Sequence, residues 1–258
     1  MENIFKNIYN YRELLKTNIK KEIRGKYKHS FLGVLWSFLN PLLQILVYAI
    51  IFPIILKNDI DNYVIFLCVG LIPWTFFTTI VTQSTGVIIA NANIVKKVYF
   101  PREILPISVV TSAAVNFVIS TIIILAFVLI YGMGITWHIV FYPIVLLIQY
   151  LFSIGISFLV SSLTVYLRDL EHLIGVAITM LFYATPIVYS MQTLPENYKA
   201  IMALNPMAHI IEGYRSIFYY QTTPDFKWLG IVLIVSIVLC VIGYVVFKKL
   251  EKRFAEEL

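Results

Sequence analysis

The sequence predicts an all-α polytopic membrane protein with six transmembrane helices. Three observations predict it. The chain is 60% hydrophobic and only 13% charged, where a soluble domain carries about 25% charged residues. Its mean hydropathy is +0.84. Apolar runs of spanning length recur along the 258 residues, joined by short polar pieces, which leaves no room for a sizeable soluble domain. The net charge of +6 and pI of ≈ 9.1 fit cationic cytosolic loops rather than nucleic-acid binding. Cys68 and Cys240 both fall in apolar runs, so neither a disulfide nor a metal site is expected. Residues 1–30 lack the continuous apolar core of a signal peptide.

Residues 1–30 form a cytosolic and interfacial segment, and residues 31–258 the membrane domain. Within residues 9–24, Tyr11, Leu14, Leu15, Ile19 and Ile23 share one helical face, with Arg12, Lys16, Lys20 and Lys21 largely off it. This is the pattern of an amphipathic helix lying in the headgroup layer. Packing on a soluble partner is the alternative, disfavoured by the span that follows at once. The first span covers 31–56 and is interrupted by Gly33 and Pro41. Its Asn40 and Gln44 suit a protein neighbour better than lipid. Lys57, Asp59 and Asp61 mark a short loop before the second span, 63–84, which carries Gly70 and Pro73 near its middle.

Residues 86–105, GVIIANANIVKKVYFPREIL, are a polar island. Pro101 stops any helix just before the next apolar run, and a short helix is expected near 90–98, lying across the cytosolic surface. The third span covers 106–131. A tight turn at Tyr131 to Gly134 leads to the fourth, 138–166. Arg168, Asp169, Glu171 and His172 form a charged turn before the fifth span, 173–191. Residues 192–226 hold apolar stretches too short to cross about 30 Å of hydrocarbon, punctuated by Pro195 and Pro206. They read as two re-entrant short helices between spans five and six, a backbone tolerated only inside protein or along a cavity. The sixth span covers 227–248, and residues 249–258 complete a charged, helical tail.

Orientation follows from the cations. All but four of the 20 Lys and Arg fall on the pieces that are inner when both termini are cytosolic; the exceptions are Lys57, Lys199, Arg215 and Lys227. That bias predicts a multi-pass protein with both termini inside.

The chain lacks the Gly-x-x-x-x-Gly-Lys-Ser/Thr phosphate loop, so it does not hydrolyse nucleotide by that route. His29, His138, His172 and His209 show no ligand-like pairing; His209 and Glu212 share a helix face as a structural contact. The spans contain no paired carboxylates, whereas ion-coupled carriers place ionisable groups there. Energy then comes from elsewhere, most simply a partner ATPase.

The stretch RGKYKHSFLGVLWSFLNPLLQ, beginning at Arg24, resembles the start of the first span in type-2 permeases of ABC exporters. GLIPWTFF, NANIVKKVYFPREILP, YLRDLEHLIG, TPIVY and LNPMAHIIEGYR follow in the same order as in the branch that exports O-antigen, capsule and wall teichoic acid. These landmarks run from residue 24 to about 220. The resemblance implies a homodimer in the cytoplasmic membrane of a bacterium, bound to two copies of an ATPase subunit. The chain would hold no cofactor of its own, ATP and Mg²⁺ sitting in that partner. The cargo would be a glycan linked to a polyprenyl pyrophosphate, with membrane lipids as surroundings and no nucleic acid.

The resemblance also assigns residues. Asn93, Lys96, Lys97, Tyr99, Pro101 and Arg102 fall in the coupling helix that docks in the ATPase, agreeing with a short basic piece at the cytosolic surface. Arg168 and Asp169 read equally as a second ATPase contact or an internal ion pair. Leu32 and Gly33 resemble the loop at the cytosolic mouth of the channel. Arg24, Lys26, Lys28 and His29, with Tyr27, surround it with cations and donors that suit a pyrophosphate headgroup; plain anchoring to lipid phosphates is the other reading of each cation. Trp74, Phe77, Tyr183, Tyr214 and Tyr219 are candidates for channel or exit aromatics, because sugar rings stack their C–H faces on aromatic rings. Trp36, Trp137 and Trp228 read as interfacial anchors. Other functions compatible with the chain are export of small lipids or drugs, a membrane-embedded lipid-sugar enzyme, and a scaffold. The enzyme needs clustered acidic or metal-binding residues that the sequence lacks.

Overall fold

A single long helix runs through the middle of the protein, and the other elements are arranged on it. The computed structural model describes residues 4–25, 35–56, 60–191, 195, 197, 199 and 202–258. Among these there is no strand. In chain order the helices are α1 (Ile4–Asn10), α2 (Arg12–Gly25), α3 (Trp36–Leu56), α4 (Tyr63–Ala90), α5 (Ala92–Lys97) and α6 (Ile104–Ile130). A 3₁₀ turn (Trp137–Phe141) opens α7 (Tyr142–Tyr166), followed by α8 (Leu170–Tyr183), α9 (Pro206–Phe218) and α10 (Phe226–Leu250). A second 3₁₀ turn (Glu251–Arg253) leads to α11 (Phe254–Glu257).

The central helix is α4. It touches α3, α6, α7, α8 and α9, and 78% of its most apolar stretch is buried, against 22% for that of α10. α4 is accordingly apolar around most of its surface, as suits a helix surrounded by protein. The outer helices instead turn apolar faces outward: Ile234, Val238, Val241 and Val245 on α10, and Leu46, Ile50 and Ile54 on α3, are exposed. Such faces suit lipid.

Among the described residues, four helical stretches are long and apolar enough to cross a membrane: Tyr63–Ala90, Ile104–Ile130, Trp137–Tyr166 and Phe226–Glu257. They match the expected second, third, fourth and sixth spans. The expected fifth span departs from one continuous helix. α8 has 14 residues, roughly 21 Å at ~1.5 Å per residue, short of the ~30 Å hydrocarbon core. Pro186 is the cause: it removes an N–H and excludes Thr185 from helical geometry, so Ala184–Ser190 runs on as bends. The expected re-entrant pair falls partly outside the described residues; α9 is the short helix seen there. Asn205 caps α9, its side chain accepting from the Met207 amide at 3.0 Å, with Pro206 at the first helical position. The apolar face of the amphipathic N-terminal helix packs on this chain's own body: α2 lies against α6, and Tyr11, Leu14 and Leu15 join the core.

α7 and α10 form the most extensive helix pair. A Cβ on Gly155 would sit 2.7 Å from the Cys240 backbone nitrogen, and Gly243 faces Gly155 across the same seam. Close approach of two backbones at small residues is a usual device where no water drives association. Substituting Gly155→Leu should push α10 off α7 and lower stability by about 1–3 kcal/mol. The check is the thermal unfolding midpoint of the purified protein in one lipid, against Gly25→Leu, where a Cβ meets nothing within 4 Å.

Candidate functional site

Two clusters of polar groups lie at opposite ends of the bundle. At one end stand α5 and the residues after it. Asn91 joins α4 to α5, its amide donating to the Val87 carbonyl at 2.8 Å and accepting from Lys21 of α2 at 3.0 Å. Val95 and Phe100 are buried and pin the segment down. Asn93, Lys96 and Lys97 are exposed on the other side, with Ile94, Val98 and Tyr99, the last 87% exposed. Pro101 is half-buried. The result is a short, anchored helix presenting a basic and apolar surface.

Arg102 faces inward. It donates to the Glu251 carbonyl and lies over the Phe254 ring at 6.0 Å. The neighbouring Glu103 carboxylate is fully buried; it pairs with Lys248 of α10 at 2.9 Å and accepts from Asn7 of α1 at 3.1 Å. Lys248 also meets Glu251 at 2.8 Å. The N-terminal helix, the start of α6 and the C-terminal segment are thus tied together behind α5. Little in the local pattern signals this: Glu103 stands out only as a carboxylate four residues before Ile107 on the apolar face of α6. On α2, Lys16 donates to Glu13 at 2.9 Å and holds its carboxyl below its ordinary value.

Arg168 and Asp169 are exposed at the turn before α8, and no ion pair joins them among the described residues. Arg24 lies in the last turn of α2. Lys26, Tyr27, His29, Leu32 and Gly33 lie outside the described residues.

At the opposite end, consecutive residues of α9 point to two neighbours. Tyr214 donates to Gln149 of α7 at 2.9 Å, and Gln149 donates to the Pro73 carbonyl of α4 at 2.8 Å. Arg215, at 0% exposure, donates to the carbonyls of Pro186 at 2.6 Å and Ile187 at 2.8 Å. Its guanidinium covers the Phe66 ring at 3.5 Å and pairs with Glu212 at 3.6 Å. Tyr63 donates to the Val188 carbonyl at 2.7 Å, and Asn205 to the Ala184 carbonyl at 3.2 Å. The carbonyls released where α8 breaks are thereby taken up by side chains. Arg215, which the charge count places among the outer cations, is an interior residue. The signal was its position on α9 between Ile211 and Phe218, four before and three after, on one apolar face.

The five aromatic candidates do not form one cluster, although Trp74 neighbours both Phe77 and Tyr183. Trp74 packs on Phe77 at 5.7 Å and on Phe182 at 6.0 Å. Trp74 and Tyr183 line one groove between α3, α4 and α8, with a volume of ≈ 270 Å³. Tyr214 is enclosed in the bundle, and Tyr219 donates to the Asp61 carbonyl at 2.5 Å. His209 stacks on Trp228 at 4.3 Å, with Nε2 2.8 Å from the Ala203 carbonyl oxygen.

A helical bundle with apolar outer faces, a docked basic helix at one end and a braced helix break at the other defines a membrane-embedded protein without a centre for covalent chemistry among its described residues. The profile of the ABC-2 type transporters matches residues 13–219, and the chain belongs to that family. It is 36% identical to an O-antigen export system permease protein of Myxococcus xanthus over 260 positions, 100% of both chains. It is 37% identical to one of Klebsiella pneumoniae over 95% of each. A polysialic acid transport protein of Escherichia coli is 26% identical over 74% of this chain and 76% of its own.

Arg215→Met should lower stability by about 3 kcal/mol, because the carbonyls of Pro186 and Ile187 lose their donors inside the bundle. Gly70→Val should act the same way from the other side, since a Cβ on Gly70 would lie 2.9 Å from Arg215 Nη2 and 3.1 Å from the Ile187 oxygen. Unfolding midpoints of the two single variants and the double should show less than additive losses.

Proposed function

We propose that this chain is the membrane subunit of an ATP-driven exporter that carries a lipid-linked polysaccharide across the cytoplasmic membrane. The observation that carries the reading is end-to-end similarity to O-antigen export permeases, 36% identity over 100% of both chains. The cargo class is an O-antigen-like glycan, with capsule or teichoic acid as neighbouring members, borne on a polyprenyl pyrophosphate. Six spans cross the bilayer: the four long helices, α3, and α8 continued by the Ala184–Ser190 bends. The N-terminal segment through residue 30 lies at the inner surface, residues 192–226 dip into the outer leaflet, and both termini are cytosolic. The segregation of polar clusters supports this topology: α1, α5 and the C-terminal residues share one end, whereas Asp61, Met133 and Gln221 share the other.

Two copies of the chain assemble with two ATPase subunits, which bind the ATP and Mg²⁺. α8 has no buried residue and α3 exposes an apolar face, which supports burial of both against the second copy. Asn93, Lys96, Lys97 and Tyr99 face the ATPase; Arg102 and Pro101 set the angle of the segment from behind. Arg168 and Asp169, exposed at the other inner turn, are a second contact. Arg24, Lys26, Tyr27, His29, Leu32 and Gly33 receive the pyrophosphate headgroup. Trp74 and Tyr183 border the path, with Phe77, Tyr214 and Tyr219 holding the aromatic layers behind and above it.

Loss of the gene should leave lipid-linked glycan inside the cell, and the wild-type copy should restore export. Lys96→Glu with Lys97→Glu should cut co-purification of the ATPase at least tenfold at normal permease levels, measured by quantitative pull-down; unchanged recovery removes α5 from the contact. Arg24→Gln with Lys26→Gln should retain the ATPase yet lower export several-fold, measured as surface glycan per permease molecule. Unchanged export removes these cations from headgroup loading.

A further inference from the structure

A cavity of ≈ 400 Å³ opens between α3, α4 and α6, within the range of small-ligand sites, about 300–1,000 Å³. Its wall includes three amides, Asn40, Gln83 and Asn116, and the hydroxyls of Thr79 and Ser120. None of its lining residues is charged. Two of its amide atoms are among the five buried polar atoms left unpaired in the described residues. Gln83 Oε1 and Asn116 Nδ2 are buried and have no hydrogen-bond partner.

That is not how this bundle treats an amide it uses for packing. Gln149 is engaged at both ends, by Tyr214 and by the Pro73 carbonyl. Asn116 lies on α6 roughly 18 Å from Ile104 at ~1.5 Å per residue, at a depth where hydrocarbon offers no partner. An unpaired amide there is costly, and the cavity that leaves it unpaired is large enough to hold what pairs it. Each amide both donates and accepts, which suits a hydroxyl that does the same. The absence of any charged wall residue disfavours phosphate, carboxylate or ammonium, which would be desolvated without a counter-charge. Trp36 contributes a half-open indole face at the rim.

We propose that this cavity is a binding site for one neutral sugar residue, hydrogen-bonded by Gln83 and Asn116 and stacked on Trp36. Its source, a residue of the exported glycan, rests on the export reading; the site itself rests on the wall chemistry. It gives the chain a resting point for cargo inside the membrane, between α3 and α6 and distinct from the cationic stretch before α3.

The test uses the full chain in phosphatidylcholine nanodiscs prepared without sugar detergents, titrated with radiolabelled octyl β-glucoside. Saturable binding is expected, displaced by methyl glucoside and not by octyl phosphocholine. Gln83→Leu with Asn116→Leu should weaken it at least tenfold, and Ala113→Phe should abolish it by filling the volume from α6. The double variant should keep the wild-type unfolding midpoint, because it removes unpaired polar atoms. Non-saturable uptake, or equal affinity in the double variant at an unchanged midpoint, overturns the site and leaves water or an acyl chain as the occupant. Glucoside binding is read without transport, so the two readings fail separately: intact export after gene loss overturns the export role and leaves the binding result standing.

Discussion

A guanidinium with no contact to solvent constrains the upper half of this protein. Arg215 is wholly buried, and a buried charge needs partners; both Nη atoms have them, while Nε has none. The break in α8 supplies what it needs. Pro186 ends helical pairing, so the carbonyls of Pro186 and Ile187 lack backbone donors and turn to Arg215. Neither feature is stable alone: the bare helix break would leave carbonyls unpaired in hydrocarbon, and the bare cation would be desolvated without return. Their mutual satisfaction fixes α9 inside the bundle. It dictates a side chain of no size at Gly70 and an aromatic face at Phe66.

The same logic separates what was legible in the sequence from what was not. Long apolar runs bounded by Pro, Gly and charge mark α4, α6, α7 and α10 because hydrocarbon forces every backbone group into the helix itself. The basic helix after Asn91 was legible because cations and amides interrupt apolar chain there. The fate of α8 was not. Apolarity of residues 173–191 says that the segment is in the membrane, but whether Pro186 kinks or ends a helix depends on who takes up the freed carbonyls, and those donors come from α4 and α9. Arg102 and Arg215 show the limit for single side chains. Both read as exposed cations, yet one is drawn to Glu251 and Phe254 and the other into the core. Partners distant in sequence made the difference, and no local pattern names them. Tyr214 is the aromatic counterpart, spent on Gln149 within the bundle.

The two braced ends are joined by one element. α4 runs unbroken from Tyr63, which holds the Val188 carbonyl, to Ala90, which hands over to α5. Its Pro73 does not interrupt it, and Gln149 secures the Pro73 carbonyl from α7. α4 thus connects α5 directly to the bend after α8. The loop behind α5 is stiff, because Glu103 is clasped by Lys248 and Asn7.

On the export reading, that stiffness decides where motion can occur. A lever anchored by Val95, Phe100 and the Glu103 cluster does not bend at its base, so work done by the ATPase must be released elsewhere. Within one chain the least buried helices are α8, which has no fully buried residue, and α3, whose outer face is exposed. Both flank the groove that holds Trp74 and Tyr183. α3 also borders the amide-lined cavity. A rotation of α3 against α4 would reshape both spaces together, since both helices, and Thr75 in particular, border each. Cargo held by neutral hydrogen bonds in the cavity would then be released toward the groove without breaking an ion pair, which keeps the barrier low at a depth where charge separation is most expensive.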